Sequence, residues 1–149
     1  MIRELDESGV SLIARFEGFK DRIYKDSAGL PTIGYGHLLK KGEDLKYQTG
    51  ISEPDARQLL RKDVEIAEQA VNSLCHALLN RNQYNALVSF VFNVGRGNFE
   101  KSTLLKRVNE GDFEKAAKEF LRWNRAGNKV VKGLTKRRMV ESTLFSKKV

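Results

Sequence analysis

Two carboxylates near the start of the chain, Glu17 and Asp26, have the residue type and the surroundings that acid–base chemistry needs. Glu17 falls on the same helical stripe as Val10 and Ile13, and such an apolar setting favours the protonated form that a general acid requires. Asp26 lies in a polar turn over residues 24–29, where a carboxylate keeps its water and stays ionised. One protonated and one ionised carboxyl are what glycoside hydrolysis uses.

Each candidate residue also has an ordinary structural explanation. Glu17 could pair with a nearby arginine such as Arg22, because ion pairs perturb titration as active sites do. Asp26 is a common turn former, and Thr32 is a common strand residue. Spacing along the chain does not show by itself that the two carboxylates face each other.

The elements that must position these residues change in character along the chain. Apolar periodicity predicts a short helix up to Glu17, with Ser8 as its cap. Between Phe19 and Gly50 the helical period disappears and glycines recur among strand-forming residues, which predicts a small antiparallel sheet. Ser52 and Asp55 have the spacing of a capping box at the start of a long helix.

The remainder of the chain is predicted to be helical, which makes the fold class α+β. A mostly apolar segment over residues 84–94 predicts a central buried helix, and shorter helices are expected at 102–109, 112–123 and about 135–145. We expect one domain over residues 1–149 with two unequal lobes and a ligand cleft between them. Its predicted parts are a β-rich segment at about 19–51, helical segments at 1–18 and 81–149, and a connecting helix over 52–80.

Composition limits the possible classes of protein. With 40% hydrophobic and 31% charged residues, the chain is typical of a globular protein and not of a disordered or fibrous one. The formal charge of +8 favours polyanionic partners, but does not choose between nucleic acid, anionic membrane and anionic cell wall. Cys75 is the single cysteine, so no internal disulfide can form, and a dormant or core thiol is expected.

Three motifs, in order along almost the whole chain, resemble those of phage-type lysozymes, the glycoside hydrolases of family 24. The first contains Glu17, Asp26 and Thr32 at intervals of nine and six residues, which match the Glu, Asp, Thr signature of that family. The second and third lie at Phe92-Asn93-Val94-Gly95 with Ser102-Thr103-Leu104-Leu105, and at Trp123-Asn124-Arg125-Ala126-Gly127 with Gly133-Leu134, Arg137-Arg138 and Glu141.

The resemblance implies a muramidase that cleaves peptidoglycan with inversion. Glu17 would donate a proton to the glycosidic oxygen, while Asp26 and Thr32 would hold or activate the attacking water. It also implies a structural pairing of His37 with Asp63, and no cofactor. A metal site is not expected, because His37 and His76 are the only histidines and no Cys/His ligand set accompanies them.

The resemblance further implies sugar contacts at Leu38, Phe92, Asn93 and Ser102. Apolar residues such as Leu38 and Phe92 are often core residues, and Ser102 is also a natural helix cap. Ala117 departs from the family pattern, because a polar sugar contact is usual at that place. The Arg137-Arg138 pair is expected on a solvated basic face, and Trp123 is expected to be buried.

The implied biology is that of an endolysin acting on peptidoglycan, with neither nucleic acid nor a stable membrane as partner, and a monomer is the default expectation. Residues 1–9 carry several charges and lack the apolar run of a secretory signal. We therefore expect the protein to wait in the host cytoplasm until a separate holin admits it to the wall. The rivals left open are a basic nucleic-acid-binding protein, a non-catalytic peptidoglycan-binding module and a lytic transglycosylase.

Overall fold

The computed structural model describes residues 3–149, which divide into two compact units. The sheet unit contains residues 10–65, and the helical unit contains residues 66–149 together with the N-terminal stretch up to Gly9. The predicted α+β class is confirmed, since a small antiparallel sheet and a set of helices are both present. No helix within residues 3–149 is both long enough and apolar enough to cross a membrane.

The first helix, α1, spans Glu7–Glu17, and its apolar stripe is buried as predicted. Its cap is Asp6 and not Ser8. Asp6 Oδ1 accepts the backbone N–H of Gly9 at 2.9 Å and the hydroxyl of Ser8 at 2.8 Å. The prediction for Ser8 was wrong because a carboxylate just before the helix is the stronger acceptor for its unpaired N–H groups.

Three short antiparallel strands follow, in the order β1 (Lys20–Lys25), β2 (Pro31–Gly34) and β3 (His37–Leu38). Tyr24 lies opposite Thr32, and Ile33 lies opposite His37. The pairing of β1 with β2 is irregular between Lys20 and Tyr24. Ile33 is fully buried, so the strand that carries Thr32 is fixed from its other face.

The helix predicted over residues 52–80 is divided in two. After a short α2 (Glu43–Lys46), the chain forms α3 (Glu53–Asp63) and α4 (Glu65–Leu74). The start agrees with the prediction, because Ser52 Oγ accepts the N–H of Asp55 at 3.3 Å. The interruption at Val64 is slight, since its N–H still donates to the carbonyl of Leu60 at 2.9 Å.

Helix α4 ends at Leu74 because a distant side chain satisfies the backbone groups there. Asn109 Nδ2 donates to the Leu74 carbonyl at 2.9 Å, and its Oδ1 accepts the N–H of His76 at 2.8 Å. The apolar period runs on to Leu78, but that side chain is 90% exposed. The period alone therefore overestimated the length of the helix.

The helical unit continues with α5 (Arg81–Val94), α6 (Arg96–Glu100), α7 (Thr103–Asn109), α8 (Phe113–Glu119), a 3₁₀ turn (Phe120–Arg122), the hairpin β4 (Arg125–Ala126) and β5 (Lys129–Val130), and α9 (Lys132–Ser146). Helix α5 begins with a capping box between Asn80 and Gln83, and residues 83–91 are buried. The ring of Phe90 meets Trp123 edge-on at 5.6 Å. Trp123 itself is half-buried, and the hairpin was not predicted.

The Arg137-Arg138 pair corrects another expectation, because both side chains are buried and not on a solvated face. Glu141 is fully buried one turn further along α9 and accepts from both guanidinium groups. Ser89 donates its hydroxyl to the same carboxylate at 2.6 Å. The arginines are inside because this carboxylate compensates their charge and satisfies their N–H groups.

Cys75 lies directly after α4 and is half-buried. Burial raises the pKa of its thiol to about 12. Since the thiolate is the reactive form, we expect this thiol to react slowly at neutral pH in the folded protein.

Candidate active site

Glu17 is the last residue of α1, and its side chain is half-buried. The helix stops because Gly18 takes the left-handed conformation, with φ of +74°. The carboxyl of Glu17 lies against Gly36, where an added Cβ would stand 2.7 Å from Oε1. Gly36 also has φ of +76°, so its backbone favours glycine, and an added side chain would require the Glu17 carboxyl to move.

Asp26 occupies the turn after β1 and is held by the backbone. Its Oδ1 accepts the N–H groups of Ala28 and Leu30, each at 2.9 Å. This is the Asx-type turn that the sequence offered as the structural alternative. Within residues 3–149, Oδ2 receives no hydrogen bond from a protein group. One carboxylate oxygen is thus fixed, and the other can accept from water or substrate.

Thr32 is only 2% exposed, and its hydroxyl donates to the carbonyl of Leu30 at 2.9 Å. A hydroxyl has one proton, so Thr32 Oγ1 is left as an acceptor for any further partner. The backbone of Leu30 therefore fixes two candidate groups, since its N–H binds Asp26 and its carbonyl binds Thr32.

Tyr24 is influenced by both Glu17 and Asp26. Partial burial raises the pKa of the Tyr24 phenol, and the negative charges of Glu17 and of Asp26 raise it further. Coulombic effects weaken with distance, so this agrees with a position of Tyr24 beside both groups. Thr32 lies opposite Tyr24 in the sheet.

Sequence reasoning placed Tyr24 at the start of the polar turn over residues 24–29 but gave it no role. The available signal was strand alternation, which places residues two apart on one face and so associates Tyr24 with Asp26. The pairing of Tyr24 with Thr32, in contrast, depends on the irregular register between β1 and β2. That register could not be read from the sequence.

Of the four predicted sugar contacts, one lies in the sheet unit and three lie in the helical unit. Leu38, in β3 of the sheet unit, is 50% exposed. In the helical unit, Phe92 is half-buried and Asn93 is exposed near the end of α5. Asn93 Oδ1 accepts a hydrogen bond from the guanidinium of Arg138, so the amide is held in place.

Ser102 caps α7, which is the structural alternative that the sequence left open. Its hydroxyl donates to the carbonyl of Phe99 at 2.6 Å and accepts the N–H of Leu105 at 3.0 Å. The residue is 8% exposed. Its proposed contact with sugar stays a prediction.

His37 is bound by two carboxylates, and its predicted pairing with Asp63 is present, with Nδ1 at 2.7 Å from Oδ2. Its Nε2 lies 3.1 Å from Glu43 Oε1, a partner that the sequence did not suggest. The pKa of Glu43 is lowered, chiefly by the backbone N–H of Lys40 and, against the effect of burial, also by His37. These contacts tie β3 to α2 and α3, so His37 has a structural role.

Residues 3–149 contain no group of three or more His, Cys, Asp or Glu side chains arranged to hold a metal ion. The side chains around Tyr24 are two carboxyl groups and a hydroxyl, which can transfer protons and make hydrogen bonds. A half-buried carboxyl, a fixed carboxylate with one open oxygen, and a hydroxyl acceptor can together donate a proton and orient a water.

A family model described as phage lysozyme matches residues 14–141. The endolysin of Bacillus phage B103 is 45% identical over 95% of this chain and 53% of its own length. The endolysin of Salmonella phage P22 is 38% identical over 95% of this chain and 97% of its own length. The chain spans about half the length of the endolysins of Bacillus phages B103 and PZA, 53% and 55% respectively.

Two solved structures are similar to this chain over almost its whole length. The muramidase domain of SpmX from Asticaccaulis excentricus is 37% identical, covers 98% of this chain and 100% of its own, and superposes with a TM-score of 0.87. The endolysin from Escherichia coli O157:H7 phage FAHEc1 is 33% identical over 97% of this chain and 94% of its own, with a TM-score of 0.84.

Proposed function

The chain belongs to the phage lysozyme family, and from that premise we propose that it is a muramidase. Its substrate is the β-1,4 bond between N-acetylmuramic acid and N-acetylglucosamine in bacterial peptidoglycan. The observation that carries the proposal is that two carboxyl groups of the sheet unit are held in different ways: Glu17 lies half-buried against Gly36, and Asp26 is fixed through one oxygen by the backbone N–H groups of Ala28 and Leu30. Glycosidases need such a pair of carboxyl groups with different roles.

Glu17 acts as the general acid. Its proton passes to the glycosidic oxygen while the bond between that oxygen and C1 of the muramic acid breaks. The carboxyl is half-buried at the end of α1, and the close approach of Gly36 limits where it can lie.

Asp26 and Thr32 direct a water to the opposite face of the sugar. Both Asp26 Oδ2 and Thr32 Oγ1 are acceptors, so a water between them donates both protons and turns a lone pair towards C1. Asp26 takes a proton as the new C–O bond forms. The product is the α-anomer, and a carboxyl separation of roughly 6.5 to 9.5 Å is expected for such an inverting pair.

Leu38, Phe92, Asn93 and Ser102 are proposed as sugar contacts. Exposure of Leu38 and Asn93 supports contact with a ligand more directly than the positions of the other two do. For Ser102, the oxygen that caps α7 has a remaining lone pair for a sugar hydroxyl.

The proposed setting is host cell lysis as a monomeric endolysin. The protein waits in the host cytoplasm and reaches the wall after a separate holin opens the membrane. Expression without a holin should leave cells intact, and added chloroform should then clear the culture. Prompt clearing without permeabilisation would contradict this route.

Turbidity loss of permeabilised Gram-negative cells, with mass analysis of the fragments, tests the proposed reaction. The wild-type protein should release reducing ends, and Glu17→Gln should release none while remaining folded, because the amide N–H protons are not acidic enough to be transferred to the leaving oxygen. Glu53→Gln is the matched control, since Glu53 is an exposed carboxylate that binds the hydroxyl of Tyr35 at 2.8 Å. It should retain activity.

Rapid proton NMR of the wild-type products then tests the stereochemistry. The first product should be the α-anomer at the muramic acid end, before mutarotation. Initial β-anomer would overturn inversion, and an anhydro product would show a transglycosylase. An active, folded Glu17→Gln enzyme would defeat the assignment of the acid.

A further inference from the structure

We propose that Tyr24 is a substrate-binding residue of this active site, and that its phenol O–H donates a hydrogen bond to the sugar that lies between Glu17 and Asp26. This inference rests on the proposed function, because it names a contact made during that reaction.

The first observation is the burial of Tyr24. Strand β1 is exposed along its length except at Tyr24, which is half-buried. A half-buried tyrosine normally finds a partner for its hydroxyl. The hydroxyl of Tyr35 donates to Glu53 at 2.8 Å, and that of Tyr84 donates to the carbonyl of Arg3 at 2.8 Å.

The Tyr24 hydroxyl differs from those two, because it makes no hydrogen bond to any group of residues 3–149. The donor is therefore available to a molecule that enters the site. A sugar with hydroxyl groups and an acetamido carbonyl offers acceptors for it.

The second observation is the position of Tyr24 among the proposed catalytic groups. It lies directly opposite Thr32 on the neighbouring strand, and two residues before Asp26. Side chains directly opposite each other in an antiparallel pair have Cβ atoms about 4.5 to 5.5 Å apart. Tyr24 is thus a neighbour of the residues that hold the water.

The charges of both Glu17 and Asp26 act on the Tyr24 phenol, after the larger effect of burial, which agrees with its position opposite Thr32. In an inverting reaction the attacked sugar lies between the acid and the base. Tyr24, beside Thr32 and two residues before Asp26, is therefore placed to contact that sugar.

The chemistry of the phenol complements that of the two carboxyl groups. An ionised carboxylate only accepts hydrogen bonds, and the Thr32 proton is already used by Leu30. Burial, and then nearby negative charge, raise the pKa of the phenol, so it remains a donor throughout the neutral range. Tyr24 therefore supplies the donor that Asp26 and Thr32 lack.

Tyr24→Phe tests the proposal, with Tyr35→Phe as the matched control. Each variant loses one hydroxyl of the sheet unit, but the Tyr35 hydroxyl is engaged with Glu53. We expect kcat/KM for peptidoglycan to fall about 3- to 10-fold for Tyr24→Phe, as loss of one neutral hydrogen bond would give. Tyr35→Phe should keep the wild-type kcat/KM.

A binding measurement separates contact with sugar from a purely structural role. In the Glu17→Gln background, calorimetry with an uncleaved oligosaccharide of alternating N-acetylmuramic acid and N-acetylglucosamine should give a Kd about 3- to 10-fold weaker when Tyr24→Phe is added. Adding Tyr35→Phe should leave the Kd unchanged. Thermal melting of each variant checks that the fold is intact.

These experiments distinguish failure of the proposed function from failure of the proposal for Tyr24. A wild-type protein that releases no reducing ends would remove the proposed function. If the wild type is active and Tyr24→Phe equals Tyr35→Phe in both kcat/KM and Kd, the proposal for Tyr24 alone is overturned. A lower kcat/KM with an unchanged Kd would also overturn it, because the phenol would not then bind the sugar.

Discussion

Gly36 has a backbone conformation that favours glycine, and it lies against the side chain of Glu17, the proposed acid. Its φ of +76° is unfavourable for any residue with a Cβ, and the Glu17 carboxyl fills the space where that Cβ would stand. The two effects can be separated, because Gly111 has the same φ of +76° with nothing within 4 Å of its added Cβ.

Gly36→Ala should lower both stability and activity. The left-handed backbone alone costs roughly 1 to 2 kcal/mol for a residue with a side chain. Gly111→Ala should lose a similar free energy of unfolding and keep its activity, while Gly36→Ala should also lose most of its activity because Glu17 is displaced. Chemical denaturation and turbidity assays on both variants give the comparison. Equal activity in the two variants would show that Glu17 does not depend on Gly36.

At this scale the sequence indicated Glu17, Asp26 and Thr32 through their types and intervals, and their roles remain predictions to be tested by substitution. The buried state of Arg137 and Arg138 was missed, because arginines are usually exposed. The spacing of both arginines to Glu141 along one helix was the signal that could have indicated an internal ion cluster.

Among the elements, α1 depends on its acidic cap. Partial burial alone would raise the pKa of Asp6, but hydrogen bonds from Gly9, Ser8 and Asn85 and the charge of Arg81 outweigh it, so the pKa is lowered. A carboxyl with a lowered folded pKa adds stability above its unfolded pKa of about 3.9, and this stability is lost as pH falls through the folded value.

Substitutions at Asp6 should separate two contributions to stability: the hydrogen bond by which the side chain caps α1, and the negative charge of the carboxylate. At pH 7, Asp6→Ala should lose about 1 kcal/mol of stability, and Asp6→Asn should lose less because the amide oxygen can still cap the helix. Asp6→Asn should also show a smaller fall in stability than the wild type as pH drops below about 3.9. Urea denaturation at pH 7 and pH 3 measures this, and identical pH dependence in wild type and Asp6→Asn would refute the role of the charge.

The elements could be predicted where the signal is local. Asn80 and Gln83 form the capping box that starts α5, and the apolar segment that follows is its buried body. The end of α4 could not be predicted, since the Asn109 side chain that binds there is 35 residues from Leu74 along the chain. The hairpin of β4 and β5 was also missed, because its strands have two residues each and no periodicity to detect.

At the scale of the whole molecule, charge and burial act together. The formal charge of +8 includes two arginines whose charges are buried with Glu141, so most of the positive charge remains available to the solvent. Such a surface attracts polyanions, among them the anionic cell wall of the proposed function, over a distance set by the ionic strength. The catalytic candidates do not supply this attraction, since Glu17 and Asp26 are both acidic.

Cys75 can report on the unfolding of the helical unit, in which it lies. The thiol is the chain's single cysteine, and burial that raises its pKa to about 12 protects it from alkylation until the structure around it opens. Labelling by iodoacetamide at pH 8 should be slow in the native protein and should accelerate with urea. Prompt labelling without urea would contradict this protection. Because Glu17, Asp26 and Thr32 lie in the sheet unit, the urea concentration that exposes the thiol can be compared with the one that abolishes lysis. A difference between these two urea concentrations would show that the two units unfold separately.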